Sequence, residues 1–268
     1  MANSINTNTG ALVALQNLNA TNRDLNVTQN RVNTGLKVSS AKDNGAIFAI
    51  ASSQRAEMGA LDAVKNSIQR GQSIVDVALA AGETITKALE EQKTLAVAIA
   101  SSTGDARTAY LADYNALGGE ITKALAGAKF DGVNLFENTT QQSVLTNTSG
   151  GTQNIGTGAA ITVATTATLA APADAAAAQA AITAVDTAIK AFTAVLGGFG
   201  TQSKSMERQL TFVSKMQDSI ETGIGNLVDA DLAKESAKLT ALQTKQQLGV
   251  QALSIANQSS SILLGLFR

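Results

Sequence analysis

The chain has 268 residues, 20 basic against 21 acidic ones, 44% apolar composition, and neither histidine nor cysteine. That length can bury a sizeable core, but with aromatics at 3% the core must be built from Ala, Leu, Ile and Val, which suits close-packed helices. The missing imidazoles and thiols exclude the usual zinc sites, disulfides, and Ser-His-Asp or Cys-His nucleophile systems, and balanced charge without a basic cluster argues against nucleic-acid binding.

The first 22 residues carry no charge and lack the basic and apolar regions of a secretory signal, so no cleaved signal is expected. Steps of three and four then join Ala11, Leu15, Leu18, Asn22, Leu25, Gln29, Val32 and Leu36 into one helical stripe. The polar stretch "KVSSAKDNG", ending at Gly45, reads as a connector. The next stripe is the longest: Leu61, Val64, Ile68, Gly71, Val75, Ala78, Gly82, Ile85, Leu89, Gln92, Ala96, Ile99. A helix from Ala46 to Ser102 would be a rod of about 85 Å. "SSTGD" supplies a turn with Thr103 or Asp105 as N-cap, and Leu111, Tyr114, Gly118, Ile121, Leu125 and Ala128 carry the stripe back as an antiparallel hairpin.

Residues 138–173 contain no charge and are rich in Thr, Ala and Gly; β-prone pieces near Ser143–Leu145 and Ala160–Val163 predict a hairpin or small irregular outer lobe. Because it adds no heptad position, this segment is expected to be dispensable for assembly. Periodicity resumes through Ile182, Val185, Ile189, Phe192, Leu196, Phe199, Met206, Leu210, Val213, Ile220, Ile224 and Leu227; "GGFG" at 197–200 marks a weak point or a close backbone contact. In "NLVDADLAKE", Asp229 or Asp231 is placed to cap the last helix.

That last helix is apolar on nearly every side. Leu232, Leu239, Leu253 and Phe267 make one column, Ala241, Leu248, Ile255 and Ile262 a second about 200° away, and Leu242, Ala256 and Leu263 a third. One partner helix covers one face, so other copies of the molecule are expected to cover the rest. The candidate self-association residues are therefore Leu15, Leu18, Leu25 and Val32 near the start and Leu239, Leu242, Leu248, Leu253, Ile255, Ile262, Leu263 and Phe267 near the end. The candidate central core is Leu61, Val64, Ile68, Val75, Ile85, Leu89, Ile99, Ile121, Leu125, Ile189, Phe192, Leu210 and Val213. Residues 246–267 include too many Gln, Asn and Ser residues for a spanning helix, so no membrane insertion is expected. Glu90/Glu91 and Asp229/Asp231 are the carboxylate pairs nearest to a catalytic pattern, and they read as a solvated face and a helix cap; no enzyme activity, metal or cofactor is expected.

The block from Ile5 through "AKDN" at 41–44, the segment "AKFDGVNLF" at 128–136, and the closing block with "DAD", "QALSIANQ" and a final "LFR" resemble the bacterial flagellins. The resemblance implies a mainly α fold: a long antiparallel helical bundle, N- and C-terminal helices paired as a coiled coil, and a small β-hairpin or irregular outer segment. Five regions are expected: 1–45 and 228–268 as the inner coiled coil with its connector, 46–137 as the central helical hairpin, 138–175 as the variable outer segment, and 176–227 as the return helix. It further implies a secreted subunit that polymerises with itself into the extracellular filament used for swimming, exported unfolded through the type III export apparatus. An export chaperone and hook-junction and filament cap proteins would be its other partners. A hook–filament junction protein is the alternative, and the intact "AKFDGVNLF" argues against it.

Overall fold

The computed structural model describes residues 7–161 and 175–265, with side chains up to residue 258 in the final helix. Five helices, α1 (Thr9–Thr34), α2 (Gly45–Ser101), α3 (Gly104–Gly127), α4 (Ala175–Val228) and α5 (Leu232–Gly265), and one antiparallel strand pair, β1 (Gln142–Leu145) and β2 (Thr152–Ile155), make up the described elements. The chain divides into two compact units, one formed by residues up to Ala56 and from Ser219, the other by Glu57–Asp218.

The Glu57–Asp218 unit follows the heptad logic. Leu61, Val64, Ile68, Val75, Ile85, Leu89 and Ile99 of α2 are buried, as are Ile121 and Leu125 of α3 and Phe192 and Val213 of α4; Ile189 and Leu210 are half-buried. Gln92, the polar position of the α2 stripe, is fully buried and donates from Nε2 to the Tyr114 carbonyl at 3.2 Å, joining α2 to α3. Thr103 occupies the N-cap of α3 without a side-chain bond, and Asp105 lies in the first turn. After α3, Asp131 and Gly132 adopt positive φ in the two-residue turn between Phe130 and Val133, whose backbones exchange bonds of 3.0 and 2.9 Å. Phe136 then stacks on Phe192 with ring centroids 5.4 Å apart and approaches Phe199 at 5.8 Å.

The second strand is Thr152–Ile155, within the Gly-rich stretch, and not the Ala160–Val163 piece; Ala160 and Ile161 are not strand, and 162–163 lie outside the described residues. Pairing Gln142 with Ile155 and Val144 with Gln153 puts these four on one face, where Val144 and Ile155 are buried. Alternation decides this, because "TQNI" places one large apolar side chain on the inner face and leaves Asn154 outside. The segment thus holds a small antiparallel hairpin whose Val144 and Ile155 are buried.

α4 continues unbroken through Gly197–Gly200, and a Cβ at Gly197, Gly198 or Gly200 would meet open space, so no close backbone contact explains them. By length and composition α4 also contains a stretch apolar enough to cross a membrane; much of the helix is Ala and Gly, and its Val185, Phe192 and Phe199 are buried in the bundle.

Candidate self-association surface

The other unit is built around α1 and α5. Asn8 caps α1, its Oδ1 accepting from Ala11 N at 3.0 Å, and Gly35 ends it in the left-handed region at φ 71° while its N–H donates to the Arg31 carbonyl. The connector is then pinned: Lys37 N donates to the Val228 carbonyl at 2.7 Å, Ala230 N to Gly35 at 2.9 Å, and Val38, Ala51, Ile224 and Val228 form a buried cluster. Asn44 caps α2 through Ile47 N at 3.1 Å. Of the two aspartates that could cap α5, Asp231 does so, accepting from Ala233 N and Lys234 N at 3.0 and 3.1 Å. Asp43 Oδ2 accepts from the amides and hydroxyls of Ser39 and Ser40 at 3.0–3.1 Å, which holds its carboxyl below its ordinary value, with the Ser39 hydroxyl the largest cause.

α1 and α5 pack antiparallel. Arg31 Nη1 meets Glu235 Oε1 at 3.2 Å, Gln246 Nε2 donates to Asn22 Oδ1 at 2.7 Å, Gly249 lies beneath Leu18, and Asn8 Nδ2 donates to the Ala256 carbonyl at 2.6 Å. The covered positions of α5 are Glu235, Leu239, Leu242, Gln246, Gly249, Leu253 and Ala256, an alternation of fours and threes that merges the first and third predicted columns. On α1 they are Ala11, Ala14, Leu18, Thr21, Leu25, Thr28 and Val32, with Ala20, Asn22 and Arg31 half-buried beside them. The predicted stripe shared Ala11, Leu18, Leu25 and Val32 with this seam but took Leu15, Asn22 and Gln29 where Ala14, Thr21 and Thr28 lie deeper. Thr21 and Thr28 were invisible to an apolar count, and only their burial at 4% and 0% reveals them.

This seam mixes apolar side chains (Leu18, Leu25, Val32, Leu239, Leu242 and Leu253) with polar ones. Thr28 Oγ1 and Glu235 Oε2 are buried without a hydrogen-bond partner among the described residues, each a penalty of about 1–3 kcal/mol. Other large apolar side chains are left uncovered: Leu12, Val13, Leu15 and Val27 on α1, and Leu232, Leu248, Val250 and Ile255 on α5, are exposed, Ile255 at 67%. Leu253 and Ile255 thus part company as their angular separation requires, Leu253 half-buried at the seam and Ile255 in solvent. The side chains of Ile262 and Leu263, and all of Phe267, lie outside the described residues. These eight exposed hydrophobics lie on more than one side of the two paired helices.

The bacterial flagellin N-terminal helical region matches residues 5–141 and the bacterial flagellin C-terminal helical region residues 182–267. The chain is 52% identical over 276 residues to flagellin FljM and 53% identical over 275 residues to flagellin FljK of Caulobacter vibrioides, with 99% of both chains covered in each case. It is 37% identical over 282 residues to a Brucella melitensis flagellin, again covering 99% of each. The crystal structure of Bacillus cereus flagellin aligns with 55% of this chain and 88% of that one, at 25% identity and a TM-score of 0.49.

Proposed function

Since the chain belongs to the bacterial flagellins, structural subunits that self-polymerise into the flagellar filament, we propose that its copies assemble by burying the outward faces of α1 and α5 against one another. The observation that carries this reading is the apolar surplus of the terminal pair, whose seam covers Leu18, Leu25, Leu242 and Leu253 and still leaves Leu15, Leu248 and Ile255 facing solvent. Moving one such Leu or Ile from water into a dry contact contributes about 1.5–3 kcal/mol, and a helical lattice repeats that gain at every subunit.

In this reading Leu18, Leu25, Val32, Leu239, Leu242 and Leu253 hold the pair together within one copy, whereas Leu15, Leu248 and Ile255 reach neighbouring copies. Ile262, Leu263 and Phe267 continue the same columns in sequence and would join one or other set. Residues 1–45 and 228–268 would form the inner layer of the filament, 46–137 and 176–227 the surrounding bundle, and 138–175 its periphery. The filament would serve swimming. Export unfolded through the type III apparatus, a cytoplasmic chaperone on the apolar C-terminal segment, and contacts with hook-junction and cap proteins complete the reading, all resting on the family.

Ile255→Asp tests it. A carboxylate forced into a dry repeated contact costs several kcal/mol, so seeded polymerisation should cease while the monomer keeps its helicity by circular dichroism. Normal filament growth by the variant would refute the surface assignment.

A further inference from the structure

Two glycines of α2 sit directly beneath large side chains of the Glu57–Asp218 unit. A Cβ at Gly71 would lie 2.5 Å from Val144 Cγ2 and 3.2 Å from Met206 Sδ, and one at Gly82 would collide with Leu196 Cδ2. Both glycines are buried, unlike Gly59 and Gly119, whose added Cβ would meet nothing. Their eleven-residue spacing is about three helical turns, so both sockets open on one face of α2.

A stripe that repeats every heptad has an inherent ambiguity. α4 could slide along α2 by seven residues, about 10.5 Å, and still find an apolar partner at most positions. The glycines remove that freedom. A one-heptad slide would set Leu196 against Val75 or Leu89, both already large, and would withdraw Met206 from the site beside Gly71.

The β1–β2 hairpin reads the position of both helices at once. On α2, Leu145 N donates to Ser67 Oγ at 3.0 Å while Val144 fills the space over Gly71. On α4, Gln209 Nε2 donates to the Thr146 carbonyl at 3.0 Å, and Gln202 both accepts from Gly156 N at 3.0 Å and donates to Gly156 O at 3.3 Å. Ser67 and Gly71 are one turn apart, and Gln202 and Gln209 two turns apart, so each helix presents its anchors on a single face. We propose that Gly71 and Gly82 are register-setting sockets and that the Gln142–Ile155 hairpin is the crossbar that locks α2 against α4, excluding the heptad-slipped bundle.

The chain has no cysteine, so engineered pairs report register without background. Ser203 Oγ lies 3.4 Å from Asp76 Oδ1, which makes Asp76→Cys with Ser203→Cys the native reporter; Gln69→Cys or Glu83→Cys with Ser203→Cys reports a slip of one heptad in either direction. In the full-length wild-type background, oxidation with copper phenanthroline should link only the native pair. Filling the sockets with Gly71→Val and Gly82→Leu should lower the native cross-link about tenfold or more, because overpacking two sites disfavours that register. Exchanging knob and socket, Gly82→Leu with Leu196→Gly and Gly71→Val with Val144→Gly, should restore helicity and the native cross-link together. Undiminished native cross-linking in the filled variant would overturn the proposal. So would an exchange variant that fares no better than the filled one, including the case in which both fail to fold.

Discussion

The two units of this chain cover their large hydrophobic side chains to different extents. In Glu57–Asp218, Ile68, Ile85, Leu89, Phe192 and Phe199 are all at or below 1% exposure. Along α1 and α5 the seam covers Leu18, Leu25, Leu242 and Leu253 beside Thr21, Thr28 and Gln246, while Leu12, Leu248 and Ile255 are at least 60% exposed. In the proposed assembly the first region completes itself within one copy and the second is completed by neighbouring copies. Stability should therefore depend on neighbours only for the terminal pair.

The sharpest way to break that comparison is to damage the self-sufficient unit. Phe192→Ala removes a ring that is 1% exposed and stacked on Phe136, and should cost about 3–5 kcal/mol. The loss should appear equally in the monomer and in the filament by thermal or denaturant unfolding. A deficit seen only in the filament would mean that this unit too leans on other copies.

Leu248→Ala probes the opposite case. Leu248 is 60% exposed, so monomer unfolding should shift by less than about 0.5 kcal/mol. The critical concentration for filament growth should nevertheless rise about tenfold or more, the equivalent of about 1.5–3 kcal/mol of lost burial. Equal effects in the two measurements would erase the distinction between seam and outer face. Arg31→Met is milder. It leaves the partly buried Glu235 carboxylate without its 3.2 Å partner, and should accelerate amide exchange along α1 in the monomer while exchange in α3 stays unchanged.

The legibility of the sequence follows the same division. In the bundle, one face of each helix is apolar and the partners are in the same chain, so the α2 stripe from Leu61 to Ile99 named buried residues position by position. In α1 and α5 the heptad is written more than once around the helix, and periodicity cannot say which column faces the sister helix. The structure assigns it through polar contacts, Arg31 with Glu235 and Asn22 with Gln246. Thr21 and Thr28 were missed because a buried threonine leaves no mark in an apolar count. The β2 strand was missed because its six-residue connection, Thr146–Gly151, turns on Asn147, whose Oδ1 accepts from Ser149 N and Gly151 N. Nothing in hydrophobic spacing announces that turn.

The connector offers the smallest test, and it bears on how the terminal pair is tethered. Asp43 gathers four hydrogen bonds from Ser39 and Ser40 onto one oxygen, and all four favour the charged carboxylate. Its folded value therefore lies below the unfolded value of 3.8. The sign follows from linkage: with the folded value depressed, the contribution is fully present above the unfolded value and is lost as pH falls through the folded one. Asp43→Asn should lower the thermal midpoint slightly at pH 6, and the gap to wild type should close progressively below about pH 4. Because the side chain is exposed, added salt should shrink the gap at pH 6 as well. A gap that persists undiminished at pH 2 would show that Asn fails for reasons of shape and that the charge of Asp43 does not hold the turn.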